Sequence, residues 1–211
     1  MSAFLEWSTE VGPFACNCRV IACPKTARAV VIDPGDEAQR LVEWIGGLKT
    51  PSGQALEVVG LLHTHGHLDH VGATRGLKEA FGPAAQIRLH SGDDPLYRAL
   101  NEQGRLFGFS YDEPLPVDRF LEDGEQFSVG ELKFEVTHTP GHSPGSVCLK
   151  LHEDSALSVP ESIYTGDTLF KGSVGRTDLW GANQDQMFRS IKQRILSSDD
   201  DARVCPGHGP N

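Results

Sequence analysis

The chain has 211 residues, enough for one domain with a real core and at most two small ones. With 38% hydrophobic and 23% charged residues it has the composition of a folded protein rather than a disordered one. Nineteen basic against 29 acidic residues give a formal charge of −10, which repels nucleic-acid phosphates and anionic lipid, and no local basic patch offsets it.

The opening residues, MSAFLEWSTEVG, contain no basic stretch followed by an apolar run, and nowhere do 18 apolar residues follow one another. A soluble cytoplasmic protein without leader or membrane span is therefore expected. Five cysteines, an odd and low number, fit a reducing compartment better than a disulfide framework. Cys16 and Cys18 face one side of an extended segment and could be two metal thiolates. No second pair at zinc-finger spacing accompanies them, so both are read as ordinary strand residues.

In chain order, NCRVIAC and RAVVID read as strands of a hairpin turned by PKTA. DEAQRLVEWIGG has helical spacing and a glycine stop. EVVGLLH reads as a buried strand, HVGATRGLKEAFG as a helix ended by Gly82, QIRLH as a strand, and Asp94 to about Phe107 as one helix. The middle, from Pro114 to Thr139, reads as loop and then hairpin with Val129-Gly130 as its turn. Three more strands, SVCLKL, SIYTGD and ARVCPG, follow, with the helix NQDQMFRSIKQRIL before the last. Hairpins come first and helices alternate with strands afterwards, so two sheets packed face to face under outer helices are the natural layer solution, as one domain over 1–211.

The strongest local signal is LLHTHGHLDHVG, with four histidines and one aspartate between His63 and His70. In a helix His65 and His67 would lie on opposite sides; in an extended turn between a strand and a helix they face one way. Three more candidates end strand-like runs in glycine-rich turns: His142 in THTPGHSPGS, Asp167 in IYTGDTLF and His208 in VCPGHGP. With Asp69 and His70 these make seven groups, more than the four that one zinc takes. Imidazoles and carboxylates without cysteine suit zinc, iron or manganese. Each has a plainer reading: Asp69 as a helix cap, His142 and His208 as turn histidines bonded to backbone, and Asp167 as an Asx-turn residue. His90 and His152 have no ligand-like context.

The run THGHLDH, followed in order by TPGHSPGS, TGD and PGHG, resembles the metallo-β-lactamase superfamily, and more narrowly the glyoxalase II group of hydroxyacylglutathione hydrolases. The flanks GPFACNCRVIACPKTARAVVIDPGD and GDTLFKGSVGRTDL are similar to short bacterial members of that group, and the similarity runs from Val11 to His208. It implies an α/β fold, an αββα four-layer sandwich of two mixed sheets flanked by helices, with metals at one edge. It implies two divalent metal ions, zinc first, with iron or manganese as alternatives. His65, His67 and His142 would hold the first metal, Asp69, His70 and His208 the second, and Asp167 would bridge them. The family register starts at Thr64, so His63 is assigned to the strand, packed near the site.

Two cations about 3.5–4 Å apart sharing a hydroxide provide a nucleophile at neutral pH, which Asp69 would orient as the catalytic carboxylate. A thiolate leaves without strong help from an acid, which favours a thioester. A metal-dependent hydrolase of a small glutathione-type thioester is therefore expected, acting on neither nucleic acid nor membrane, with oligomeric state left open. Many glyoxalase II enzymes add a C-terminal helical domain that contacts glutathione, whereas this chain stops three residues past His208. Arg176, in VGRTDLWG, is the remaining candidate for gripping a substrate carboxylate, with a structural salt bridge as its other reading. With few residues beyond it to anchor its loop, His208 is expected to leave the second metal weak or partly occupied.

The alternative function is a persulfide dioxygenase with one iron on His65, His142 and Asp167, which shares the GRTD stretch. A β-lactamase is set aside because a cytoplasmic enzyme meets no periplasmic drug. A non-catalytic metal-binding module is opposed by the complete ligand set.

Overall fold

The computed structural model describes residues 5–152, 160–197 and 201–211. Six strands form the first sheet in sequence order: β1 (Leu5–Val11), β2 (Cys16–Ala22), β3 (Arg28–Ile32), β4 (Glu57–Leu62), β5 (Gln86–His90) and β6 (Arg119–Leu121). The first two pairings are antiparallel and the last three parallel. The second sheet, also mixed, has the order β13-β10-β9-β8-β7, from β7 (Gln126–Val129), β8 (Leu132–His138), β9 (Val147–Leu151), β10 (Ser162–Gly166) and β13 (Arg203–Pro206). A short hairpin, β11 (Leu169–Phe170) and β12 (Ser173–Val174), stands apart.

Side-chain alternation sorts the core into layers. Ala29 and Val31 of β3 pack with Leu41 and Ile45 of α1 (Ala38–Gly47) and Leu77 of α3 (Thr74–Phe81), while Val30 and Ile32 face Phe134, Val136 and Leu149 of the other sheet. Cys148 and Ile163 on the outer face of the second sheet meet Met187 of α6 (Gln184–Ser190) and Ile191. Helices therefore cover both outer faces, giving the four expected layers. Strands β3 and β4, at the centre of the first sheet, carry continuous apolar runs because both of their faces are covered. No helix among the described residues is long and apolar enough to cross a membrane.

Several elements differ from the sequence reading. β1, not predicted as a strand, pairs along its whole length with β2. The hairpin turn is Gly130-Glu131 rather than Val129-Gly130: Val129 pairs with Leu132, and Gly130, at φ +62°, takes the first turn position. The helix predicted from Asp94 to Phe107 breaks at Ala99 into α4 (Asp94–Arg98) and α5 (Leu100–Phe107). The one predicted from His70 is two, α2 (Leu68–Val71) and α3, the second ending at Gly82 as expected. The last helix, α6, is capped by Asn183, whose side-chain oxygen accepts from Gln186 N at 2.9 Å, and widens into a π-turn over Ile191–Ile195.

Candidate metal centre

The carboxyl ends of β4, β10 and β13 and the β8–β9 loop meet at one edge of the two sheets, where loops on a rigid scaffold present side chains. The loop after β4 carries His63 to His67 and enters α2 at Leu68. Two side chains outside it fix its course. Gln103 of α5 donates to Gly66 O (3.0 Å) and accepts from Leu68 N (3.0 Å). Asp93, fully buried, accepts from Gly66 N (2.8 Å), Ser143 Oγ (2.6 Å) and Gly145 N (2.5 Å), so one carboxylate ties the His65–His67 loop to the loop of His142.

All seven expected groups converge. His65, His67 and His142 present ligand atoms within 4.8 Å of one another, as do His65, His70 and Asp167. His67 Nδ1 lies 2.8 Å from His142 Nε2, and His70 Nε2 lies 3.2 Å from His208 Nε2. Asp69 Oδ2 is 3.3 Å from His208 Nε2 and 3.8 Å from His70 Nε2. Asp167 stands between the groups, with Oδ1 3.4 Å from His70 Nε2 and Oδ2 3.7 Å and 3.5 Å from Nε2 of His142 and His208. Gly207 makes room for this: a Cβ there would sit 2.5 Å from Asp167 Oδ1 and 2.7 Å from His70 Cε1.

The outer ring nitrogens decide the tautomers. His142 Nδ1 faces Arg176 O (2.9 Å), His208 Nδ1 faces Phe14 O (3.0 Å) and His70 Nδ1 faces Asp33 Oδ2 (3.0 Å). These partners only accept, so each Nδ1 must donate and Nε2 is the nitrogen each ring turns inward. Thr64 Oγ donates to Asp33 Oδ2 (2.7 Å), which leaves its oxygen to accept from His65 Nδ1 (3.1 Å). Asp33, held also by Thr64 N (2.8 Å), thus orients His70 directly and His65 through Thr64. Such outer partners are what set ligand orientation at metal sites.

The electrostatics divide the cluster. Burial pushes His65 well below the ordinary histidine value, with the neighbouring histidines adding to it. Burial, then His142, takes His67 to about 3, and burial lowers His142. Burial opposes charge on His70 too, but Cys16, Asp167, Asp69 and Asp33 hold it well above the ordinary value. Since burial pushes the Cys16 thiol up to about 12, the carboxylates supply this pull at neutral pH. His208 is raised, against burial, by Asp69 and Asp167, and both carboxylates are held low by His70 and His208 despite burial.

A cation fits this set. His65 Nε2 and Asp167 Oδ1 are buried without a hydrogen-bond partner, and Nε2 of His70 faces Nε2 of His208. A buried polar atom left unpaired is costly, and N/O donors gathered in this way suit divalent metals.

Of the remaining expectations, His63 lies outside the cluster, its nitrogens facing His70 O (3.3 Å) and Thr74 Oγ1 (3.2 Å). Asp69 makes no capping bond to α2, whose N-cap is His67. Cys16 and Cys18 are buried strand residues, but Cys16 Sγ lies 3.5 Å from His70 Nδ1 and within 4.8 Å of the ligand atoms of His70 and His208, whereas Cys18 joins no such group among the described residues. His90 stacks on His138 at 4.1 Å and His152 pairs with Glu135 at 3.2 Å. Arg176 is exposed and forked onto Asp178 (2.7 and 2.9 Å).

The expectation that the His208 loop lacks anchors is overturned. Asn17 holds Pro206 O (3.0 Å), Gly207 O (2.7 Å) and Gly209 O (2.8 Å), and Arg19 holds Pro206 O (3.3 Å) and Asn211 Oδ1 (2.7 Å). The anchors come from β2, far away in sequence, so the reason given for a weak second metal falls.

Beside the cluster opens a cleft of about 270 Å³, with His67, Asp69, His142 and Asp167 at its floor and Phe14, Leu96, Phe107, Arg176 and Trp180 among its walls.

Residues 11–208 match the family model of the metallo-beta-lactamase superfamily. Hydroxyacylglutathione hydrolase GloC of Haemophilus influenzae is 37% identical over 200 residues, 94% of this chain and 88% of that protein. Among solved structures, BLEG-1 B3 metallo-beta-lactamase superposes with a TM-score of 0.83 at 32% identity, covering 98% of this chain and 92% of that one. TTHA1623, solved in a di-iron-bound form, gives a TM-score of 0.79 at 38% identity, covering 97% and 92%.

Proposed function

The chain belongs to the metallo-beta-lactamase superfamily, and from that membership we propose that it is a metal-dependent thioester hydrolase for glutathione-type substrates such as a 2-hydroxyacyl-glutathione. The likeness to the Haemophilus hydrolase supports this reading. The observation that carries it is the makeup of the cleft floor. Asp69 and Asp167 are held as anions, and His67 and His142 as neutral rings, so none of the four is a proton donor at neutral pH. A thiolate, with a thiol pKa near 8.5, departs without one; an amine does not.

When bound, two divalent cations supply Lewis acidity toward the carbonyl and acidify water toward a pKa of about 7. His65, His67 and His142 would hold one, Asp69, His70 and His208 the other, with Asp167 shared. The Asp69 carboxylate accepts a hydrogen bond from the attacking water and so aims its lone pair at the carbonyl carbon. Asp33 and Asp93 keep the imidazoles aimed while this happens, and Arg176 is the candidate grip for a substrate carboxylate only by exchanging its present partner, Asp178. One domain carries the whole site on this reading.

Purified metal-loaded protein should release free thiol from S-lactoylglutathione, and a chelator should abolish the release. Absence of turnover at full metal occupancy overturns the proposal. One iron per chain with oxygen uptake on glutathione persulfide replaces it with the dioxygenase, and β-lactam opening without thioester cleavage replaces it with a lactamase.

A further inference from the structure

Thioester hydrolysis leaves the mouth of the cleft without a role. Leu106, Trp180, Phe107 and Phe14 are 83%, 64%, 53% and 37% exposed there, while Leu68 and Leu96 continue the apolar wall inward to His67 and Asp69. Phe14 sets its edge against Phe107 (5.3 Å) and Phe109 (6.1 Å), which fixes the ring in place. Single exposed apolar side chains are ordinary, but four around one cleft that ends at the reacting groups mark a binding surface. The cation among the described lining residues, Arg176, already has both arms on Asp178.

A glutathione-type carrier is polar and bears carboxylates, so this wall does not suit it. We propose that the wall formed by Phe14, Leu106, Phe107 and Trp180 is an acyl subsite, and that the protein prefers thioesters whose acyl group is an alkyl chain of several carbons or an aryl ring over small acyl groups. The inference rests on the hydrolase reading for the assignment to the acyl side. The subsite itself is tested without turnover.

Hexanoate and acetate, the carboxylate products of a long and a short acyl group, are titrated into the metal-loaded protein by calorimetry. A buried methylene is worth about a fourfold gain in affinity. Burial of two of the four extra methylenes therefore makes hexanoate at least tenfold tighter, with a more negative heat-capacity change. In Phe107→Ala, and in Leu106→Ala at a position exposed enough to tolerate it, the ratio should fall at least threefold. A wild-type ratio near one, a ratio unchanged in both variants, or a dimer in sedimentation that Leu106→Ala dissociates would overturn the subsite, the last by showing that a second copy covers the wall. Kinetics separate the two readings: kcat/KM should be higher for S-hexanoyl- than for S-acetylglutathione. Equal turnover of both rejects the subsite and keeps the hydrolase, whereas tenfold preference for hexanoate without any thioester turnover rejects the hydrolase and keeps an apolar subsite.

Discussion

The two halves of the ligand cluster use the same side chain in opposite electrostatic states. His65, His67 and His142 sit among one another, and burial keeps them neutral. His70 is as deeply buried as they are and His208 is partly buried, yet Asp33, Asp69 and Asp167 around them draw protons onto their rings. Neighbouring charge, not burial alone, decides whether a buried imidazole awaits a metal with a bare nitrogen or with a proton to displace.

The largest expected effect is at the nitrogen nearest both halves. His65 belongs to two of the three groups of possible ligands, once with His67 and His142 and once with His70 and Asp167, and its Nε2 has no hydrogen-bond partner. His65→Ala should lower thioester turnover well beyond the roughly 100-fold that loss of an outer partner costs, and should remove at least one metal equivalent by elemental analysis. Retained activity would mean that the triad is not the catalytic half.

The outer carboxylates come next, and they separate the halves. In Asp33→Asn an amide NH₂ can face His70 Nδ1, driving the ring to the tautomer with Nε2–H pointing into the site. Asp93→Asn instead sets an NH₂ against Gly66 N, Ser143 Oγ or Gly145 N and loosens only the loops of His67 and His142. Both should weaken metal binding by about 10–100-fold, with Asp33→Asn impairing both halves and Asp93→Asn the triad alone. Equal loss at both halves in Asp93→Asn would break the distinction.

A smaller effect is the order in which acid empties the sites. The triad rings stay unprotonated down to low pH, with His67 titrating only at about 3, whereas His70 and His208 take up protons above the ordinary histidine value. Lowering the pH from 8 to 5 should therefore release one metal equivalent and leave the other. Loading the second equivalent in weak buffer should also release more protons than loading the first. Simultaneous loss of both equivalents would show that the cluster titrates as one unit.

Local pattern made part of this legible in the sequence. Strand runs, the helix stop at Gly82 and the seven converging groups, Asp69 by its approach to His70 and His208, are short-range features of composition and spacing. What was missed depends on distant contacts. Asp33 and Asp93 are each one of two aspartates in VVIDPGD and HSGDDP, and their role appears only when Thr64, His70, Gly66 and Ser143 fold against them. The residue after β3 does carry one local trace, an aspartate before Pro-Gly, and it takes φ +51°, a conformation Asp tolerates better than most. The loop of His208 seemed unanchored because Asn17 and Arg19 lie about as far from it as the chain allows. β1 escaped because LEWSTEV is half-exposed at a sheet edge and lacks the β-branched density of its neighbours.

The smallest effect on metal is expected two residues before the largest. Strict alternation would turn His63 the same way as His65, but β4 ends at Leu62 and the ring lodges between Thr74 and the His70 carbonyl, stacked 6.2 Å from Tyr97. His63→Ala should cost about 2–4 kcal/mol of stability through the cavity and the unpaired Thr74 hydroxyl, with metal content nearly intact. Burial lowers His63 to about 4 from an unfolded value of 6.5. A histidine depressed on folding contributes stability that is present above pH 6.5 and lost as pH falls toward 4, by about 3 kcal/mol in all. His63→Gln, which fills most of the space without titrating, should unfold with a shallower pH dependence across that window. If His63→Ala instead strips metal while His65→Ala spares it, the ligand register is shifted by two residues, and the division between the imidazole and carboxylate halves has to be redrawn from His63.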